Sequence, residues 1–200
     1  LEFTNEQLQK MISKEPIGDM YPYSTKDREQ IESYIQELVD TLNRSETLKC
    51  EAMFDHYGSG YASYVDLFCY KRNEKRKIKE DNEEVTIYLE GLVIYISRLA
   101  PVAIIGQDNL RSKTRFNTEE FKDGSFSSFC MMCEPEEMID ESPKFMTDGF
   151  LEIKQKLADA GYSILHKEYL SQPLPFKTEI QTSTDPSEYK VFDAIFYWMD

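Results

Sequence analysis

The sequence is poor in the residues on which catalytic and metal sites draw. Two histidines, His56 and His166, occur in 200 residues, with four cysteines and one tryptophan. No Gly-Lys-Ser/Thr is present, which excludes a P-loop, and no G-x-G-x-x-G or G-x-S-x-G is present either. Glycine and proline number 8 each, too few for a collagen-like or low-complexity chain. No apolar run approaches the ~20 residues that a membrane-spanning helix needs. The longest, 92–105, is broken by Ser97, Arg98 and Pro101. The first residues show no basic segment followed by an apolar one, so no signal peptide is expected. Cys50, Cys69, Cys130 and Cys133 are too few and too scattered for a disulfide framework. Reduced thiols and a cytoplasmic location are therefore the expectation.

What the chain has in excess is negative charge. It carries 37 acidic and 23 basic residues, a formal net charge of -14. Phosphate contacts supply most nucleic-acid affinity, so this balance argues against nucleic acid as a partner, and equally against anionic lipid. It favours encounter with a basic protein, although acidity also serves solubility alone. Hydrophobic residues make up 40% and aromatics 13%, enough for a sizeable core without metal or disulfides.

The expected fold class is α+β, as a single domain over 1–200. A largely antiparallel sheet of about six strands would be packed by two N-terminal helices and one helix in the C-terminal half. Thr4 and Gln7 make a capping box for the first helix. In the second, Ile31, Tyr34, Ile35, Leu38, Val39 and Leu42 recur at helical spacing, with Ser24 or Thr25 as the cap. Strands are expected at 48–57, 61–72, 84–97 and 102–107, with a turn at Gly58-Ser59-Gly60 and a bulge at Gly91. Beyond Gly91 the pattern turns continuously apolar, as it does where a strand is covered on both faces. A third helix follows Ser142-Pro143, or starts nearer Asp148 because Gly149 costs a helix interior about 1 kcal/mol, and ends at Gly161, and strands are expected at 162–169 and 188–198.

Few constellations point to chemistry. Cys130 and Cys133 form a C-x-x-C, but no second pair completes a zinc site, so no metal and no cofactor are expected. Asp55-His56 resembles a base beside a carboxylate, yet no nucleophile motif accompanies it. His166, between Leu165 and Lys167, reads as an ordinary strand position. Residues 71–84 (KRNEKRKIKEDNEE) read as a solvated hairpin end, with a nucleic-acid patch as the sharper alternative.

Three stretches carry a resemblance. Residues 88–107 (YLEGLVIYISRLAPVAIIGQ), 160–165 (AGYSIL) and 191–200 (VFDAIFYWMD) resemble the strand and helix–strand pieces of small acidic immunity proteins from bacterial polymorphic toxin and contact-dependent inhibition systems. The resemblance implies a cytoplasmic, non-catalytic protein that binds one cognate toxin, and it carries over no functional residue. An acidic chaperone for a secreted effector and an enzyme with an unread site are the alternatives. The candidate partner-binding residues are Phe129, Glu134, Glu136, Glu137, Asp140 and Glu141, where an aromatic stands beside five acids in a long irregular stretch.

Overall fold

The computed structural model describes residues 1–55, 60–73, 77–81, 84–116, 125–128, 132, 134–182 and 184–199, with side chains in all of these except 77–81, 84–87, 108–116 and 125–128. Helix α1 (Asn5–Ile12) opens on the expected box: the Thr4 hydroxyl accepts the Gln7 N–H, and the Gln7 side chain accepts the Thr4 N–H. Helix α2 (Arg28–Asn43) is capped by Asp27, whose carboxylate accepts the N–H groups of Glu29 and Gln30. Ser24 and Thr25 do not cap it; they belong to a separate 3-10 turn, Tyr23–Thr25.

Strand β1 (Leu48–Met53) stops short of the expected end. The expected strand 61–72 divides into β2 (Tyr61–Ala62) and β3 (Tyr64–Lys71). Buried Ser63 makes the break, donating its hydroxyl to Ile195 O and accepting the Tyr197 N–H. Then come β4 (Lys77–Asp81), β5 (Glu84–Ser97), β6 (Val102–Phe116) and β7 (Ser125–Ser128). β5 has the expected limits, whereas β6 runs nine residues past Gln107. The register shift expected near Gly91 lies between Leu89 and Gly91, where β6 uses one more residue than β5.

The C-terminal part departs most from expectation. Helix α3 (Thr147–Asp159) follows a 3-10 turn at Lys144–Met146, so it begins beside Asp148, the later of the two expected starts, and Gly161 past its end has φ +78°, a conformation that favours glycine. The expected strand 162–169 is only β8 (Ser163–Ile164), followed by α4 (Lys167–Leu170). His166 precedes α4 as an exposed cap residue, not a sheet position. The expected strand 188–198 is α5 (Val191–Ile195) and then β9 (Trp198–Met199). The turn of α5 is fixed where the Lys190 N–H donates to the Asp193 carboxylate at 2.7 Å.

The main sheet runs β1-β3-β5-β6-β7, with β4 beside β5 and β8 beside β6; β2 and β9 form a separate pair. All pairings are antiparallel except β6 with β8. The fold is thus α+β, with seven described strands in the main sheet where about six were expected. Alternate side chains divide the core in two. Val65, Leu67, Leu92, Ile94 and Ile96 pack with α2 and α3, whereas Tyr64, Phe68, Val93, Tyr95 and Val102 pack with α1, α4 and α5. The two N-terminal helices therefore sit on opposite faces. Among the described residues no helix is long and apolar enough to cross a membrane.

One expectation is overturned by register. Cys50 and Cys69 stand directly opposite each other on β1 and β3, 4.1 Å apart at Cα, and are joined as a disulfide. Such close spacing belongs to a pair without mutual backbone hydrogen bonds. The outward backbone groups of Cys50 are instead satisfied by the Asn43 side chain, which accepts the Cys50 N–H at 2.9 Å and donates to its carbonyl at 2.8 Å. Asn43 thereby occupies part of the sheet edge that an added strand would need. Closing a loop of 19 residues contributes about 3 kcal/mol in the chain-entropy account.

Candidate functional site

The acidic stretch after residue 133 lies along the outer edge of β6. The Ile139 N–H donates to Ile105 O at 2.9 Å, and Met138 bridges Gly106. Met132 and Met138 are buried, and the Met132 N–H donates to the Tyr95 hydroxyl at 2.8 Å. Gly106 permits this approach: a Cβ there would collide with the Met132 sulfur and press on Glu137 O. The edge of β6 is thus paired in three pieces, by β8, by Met138 and Ile139, and by β7.

With its apolar side held down, the stretch turns its acids outward. Pro135–Glu137 forms a 3-10 turn in which the Glu137 carboxylate accepts the Glu134 N–H. Glu134 and Glu136 both face Lys190, whose ammonium lies 3.5 and 3.1 Å from their carboxylates. Lys167 donates to Glu136 O at 3.0 Å. Asp140 instead meets the His166 ring at 3.4 Å, and Glu141 is exposed. Five of the six expected residues are therefore described, and only Glu134 and Glu136 are brought to one point. Phe129 lies outside the described residues, as do His56, Cys130 and Cys133.

That point is a cleft of about 670 Å³ walled by Glu134, Asp185, Glu188 and Asp193 around Lys190, with Pro135 and Phe192 also lining it. Hydrogen bonds from its own backbone and from Lys190 hold the Glu136 carboxyl below the usual range. Desolvation pulls on the Lys190 ammonium, but Glu136 and Glu134 outweigh it and raise its pKa. Burial raises the Asp193 carboxyl, against the pull of the Lys190 N–H and ammonium. Beside the cleft the same chain folds around an apolar hollow of about 870 Å³ that includes Leu174, Phe176, Pro186 and Tyr189. The Tyr189 hydroxyl braces it, donating to Ile180 O at 2.8 Å and accepting the Ile180 N–H at 3.1 Å.

No family model, no curated protein and no solved structure matches this chain. The chemistry therefore rests on geometry alone. Among the described residues no three His, Cys, Asp or Glu side chains gather as a metal site. The His166–Asp140 pair borders a hollow of about 270 Å³ to which, among the described residues, no serine, threonine or cysteine contributes. Sequence reading found the acids of residues 134–141 but missed Asp185, Glu188, Lys190 and Asp193. The only signal for these was a second acidic run about 50 positions further on.

Proposed function

We propose that this is a non-catalytic protein-binding domain that captures and neutralises a basic protein partner, in the manner of an immunity protein against a bacterial toxin. The observation that carries the reading is the acidic cleft beside an apolar, aromatic hollow. An interface of this kind has apolar anchors at its centre and charge at its rim. The anchors are the half-buried Leu174 and Phe176, with buried Tyr189 in the wall behind them, and the rim is Glu134, Glu136, Asp185 and Glu188. The net charge of -14 steers a basic partner toward it and opposes nucleic acid and anionic membranes.

Charge reversal at the rim tests this. Replacing Glu136 and Glu137 by Lys is expected to slow association with the cognate partner several-fold at low salt and less at high salt. Both residues are exposed, so folding stability should move little. Unchanged association rates in stopped-flow measurements would remove this segment from the interface.

Where the protein acts is a separate question. Disulfides persist in oxidising compartments and are rare in a reducing cytoplasm, so the Cys50–Cys69 bond favours the former. Acid quenching of whole cells followed by alkylation under denaturing conditions is expected to leave Cys50 and Cys69 unlabelled. Labelling of both would restore the cytoplasmic location expected from the sequence.

A further inference from the structure

A second cavity, of about 330 Å³, has the opposite charge and shares no lining residue with the acidic cleft. Lys14, Lys26, Arg28 and Arg98 line it together with Tyr61. We propose that this cavity binds a small phosphoryl-bearing anion.

The case begins with charge. One carboxylate, Glu32, bonds both guanidinium groups, at 2.9 Å from Arg28 and 2.7 Å from Arg98. Among the described residues Lys14 and Lys26 form no ion pair. Four cations and no carboxylate stand among its described lining residues, in a chain whose net charge is -14. Like charges gathered round one cavity repel each other unless an anion lies among them.

The backbone supports the same reading. Among the described residues Lys14 and Lys26 are the two non-glycine residues with positive φ, at 63° and 59°. Lys14 follows the end of α1 and Lys26 follows the 3-10 turn, positions where glycine or asparagine is the usual occupant. Lysine stands at both, and both line the cavity.

The frame is rigid. Arg98 lies beneath the cavity, 2% exposed, held by the carbonyls of Phe54, Ala62 and Tyr64. The Ile17 N–H donates to Leu99 O at 2.7 Å and ties the segment after α1 to the β5–β6 loop. The Tyr61 ring lies 4.7 Å from the Lys14 ammonium and 5.4 Å from the Arg28 guanidinium. A fixed charge below and three exposed cations at the mouth suit a tetrahedral dianion, which offers several oxygens at once, better than a single carboxylate.

Calorimetry on the intact protein at low salt tests the site with inorganic phosphate, pyrophosphate and adenosine monophosphate as probes. Saturable binding to one site is expected, with pyrophosphate tighter than phosphate. Lys14→Asn with Lys26→Asn, which suit the same backbone, should weaken it about tenfold or more. Lys10→Ala and Lys154→Ala, elsewhere on the surface, should leave it unchanged. Adenosine monophosphate binding more tightly than phosphate would assign an organic phosphate, and equal binding an inorganic one. Absence of saturable binding, or equal weakening by the Lys10 and Lys154 variants, would overturn the proposal; the former is also what a site for an acidic side chain of a partner predicts.

Discussion

Arg98→Ala is expected to lower folding stability by about 3–5 kcal/mol. The guanidinium is 2% exposed and makes four kinds of contact: with Glu32 at 2.7 Å, Ala62 O at 2.9 Å, Phe54 O at 2.5 Å, and Tyr64 O. Those carbonyls mark the end of β1 and the β2–β3 junction, so one side chain joins three stretches of backbone. Burial, opposed by Glu32, pulls its pKa down, yet guanidinium stays charged at any ordinary pH. Removing it leaves acceptors without donors and Glu32 with only its exposed partner Arg28. Arg98→Lys keeps the charge but lacks the planar fork, and should recover only part of the loss. Urea unfolding with an unchanged m-value provides the measurement. A loss below about 1 kcal/mol would mean that water replaces the guanidinium, and the joining role would be abandoned.

Leu38→Ala should destabilise by roughly 2–5 kcal/mol. Leu38 is 4% exposed on α2 and packs in the core shared with β3, β5 and α3. Deleting its branched end opens a cavity between a helix and a sheet that are each held elsewhere, so collapse around it is limited. Glu37→Ala, one position earlier and exposed, should stay within about 0.5 kcal/mol and serves as the reference. Equal effects of the two changes would place the stripe on the surface.

The α2 stripe also shows what sequence can and cannot reveal. Its period located the helix and its buried face, and the pattern of β5 gave the strand its limits. The stripe meets β5, the strand that carries Ile87 and Leu89. Yet Leu89 packs on the opposite face, and α2 meets Leu92, Ile94 and Ile96. The side chain of Ile87 lies outside those described. With both faces of β5 apolar, alternation no longer tells which residues face which helix. α5 was misread for a related reason: Val191, Phe192, Asp193, Ala194 and Ile195 are all buried, so a helical turn there shows no polar face. The Cys50–Cys69 bond depends on the register of β1 against β3, which no local pattern encodes. The acids at 134–141 were legible as a cluster, but Lys190, the cation they surround, became visible only in three dimensions. The same holds for Arg98, which in sequence merely interrupts an apolar run.

The seam between α1 and α5 has a consequence for the order of assembly. The Tyr197 hydroxyl donates to Met11 O across 186 positions, and Ser63 bonds Ile195 and Tyr197 across 132 and 134. The entropy of closing such loops grows only logarithmically, so the seam adds little to the equilibrium penalty. Its effect is on time, because distant pairings form slowly. As the chain leaves the ribosome, α2 is already made when β3 and β5 appear, and their shared face can begin to close at once. The other face, with Tyr64, Tyr95 and Val102, has only α1 to cover it at that stage; Met132, Met138 and α4 follow, and residues 191–197 complete it at the end. Half of the core is therefore sealed last, by a segment of which the main sheet is built without need.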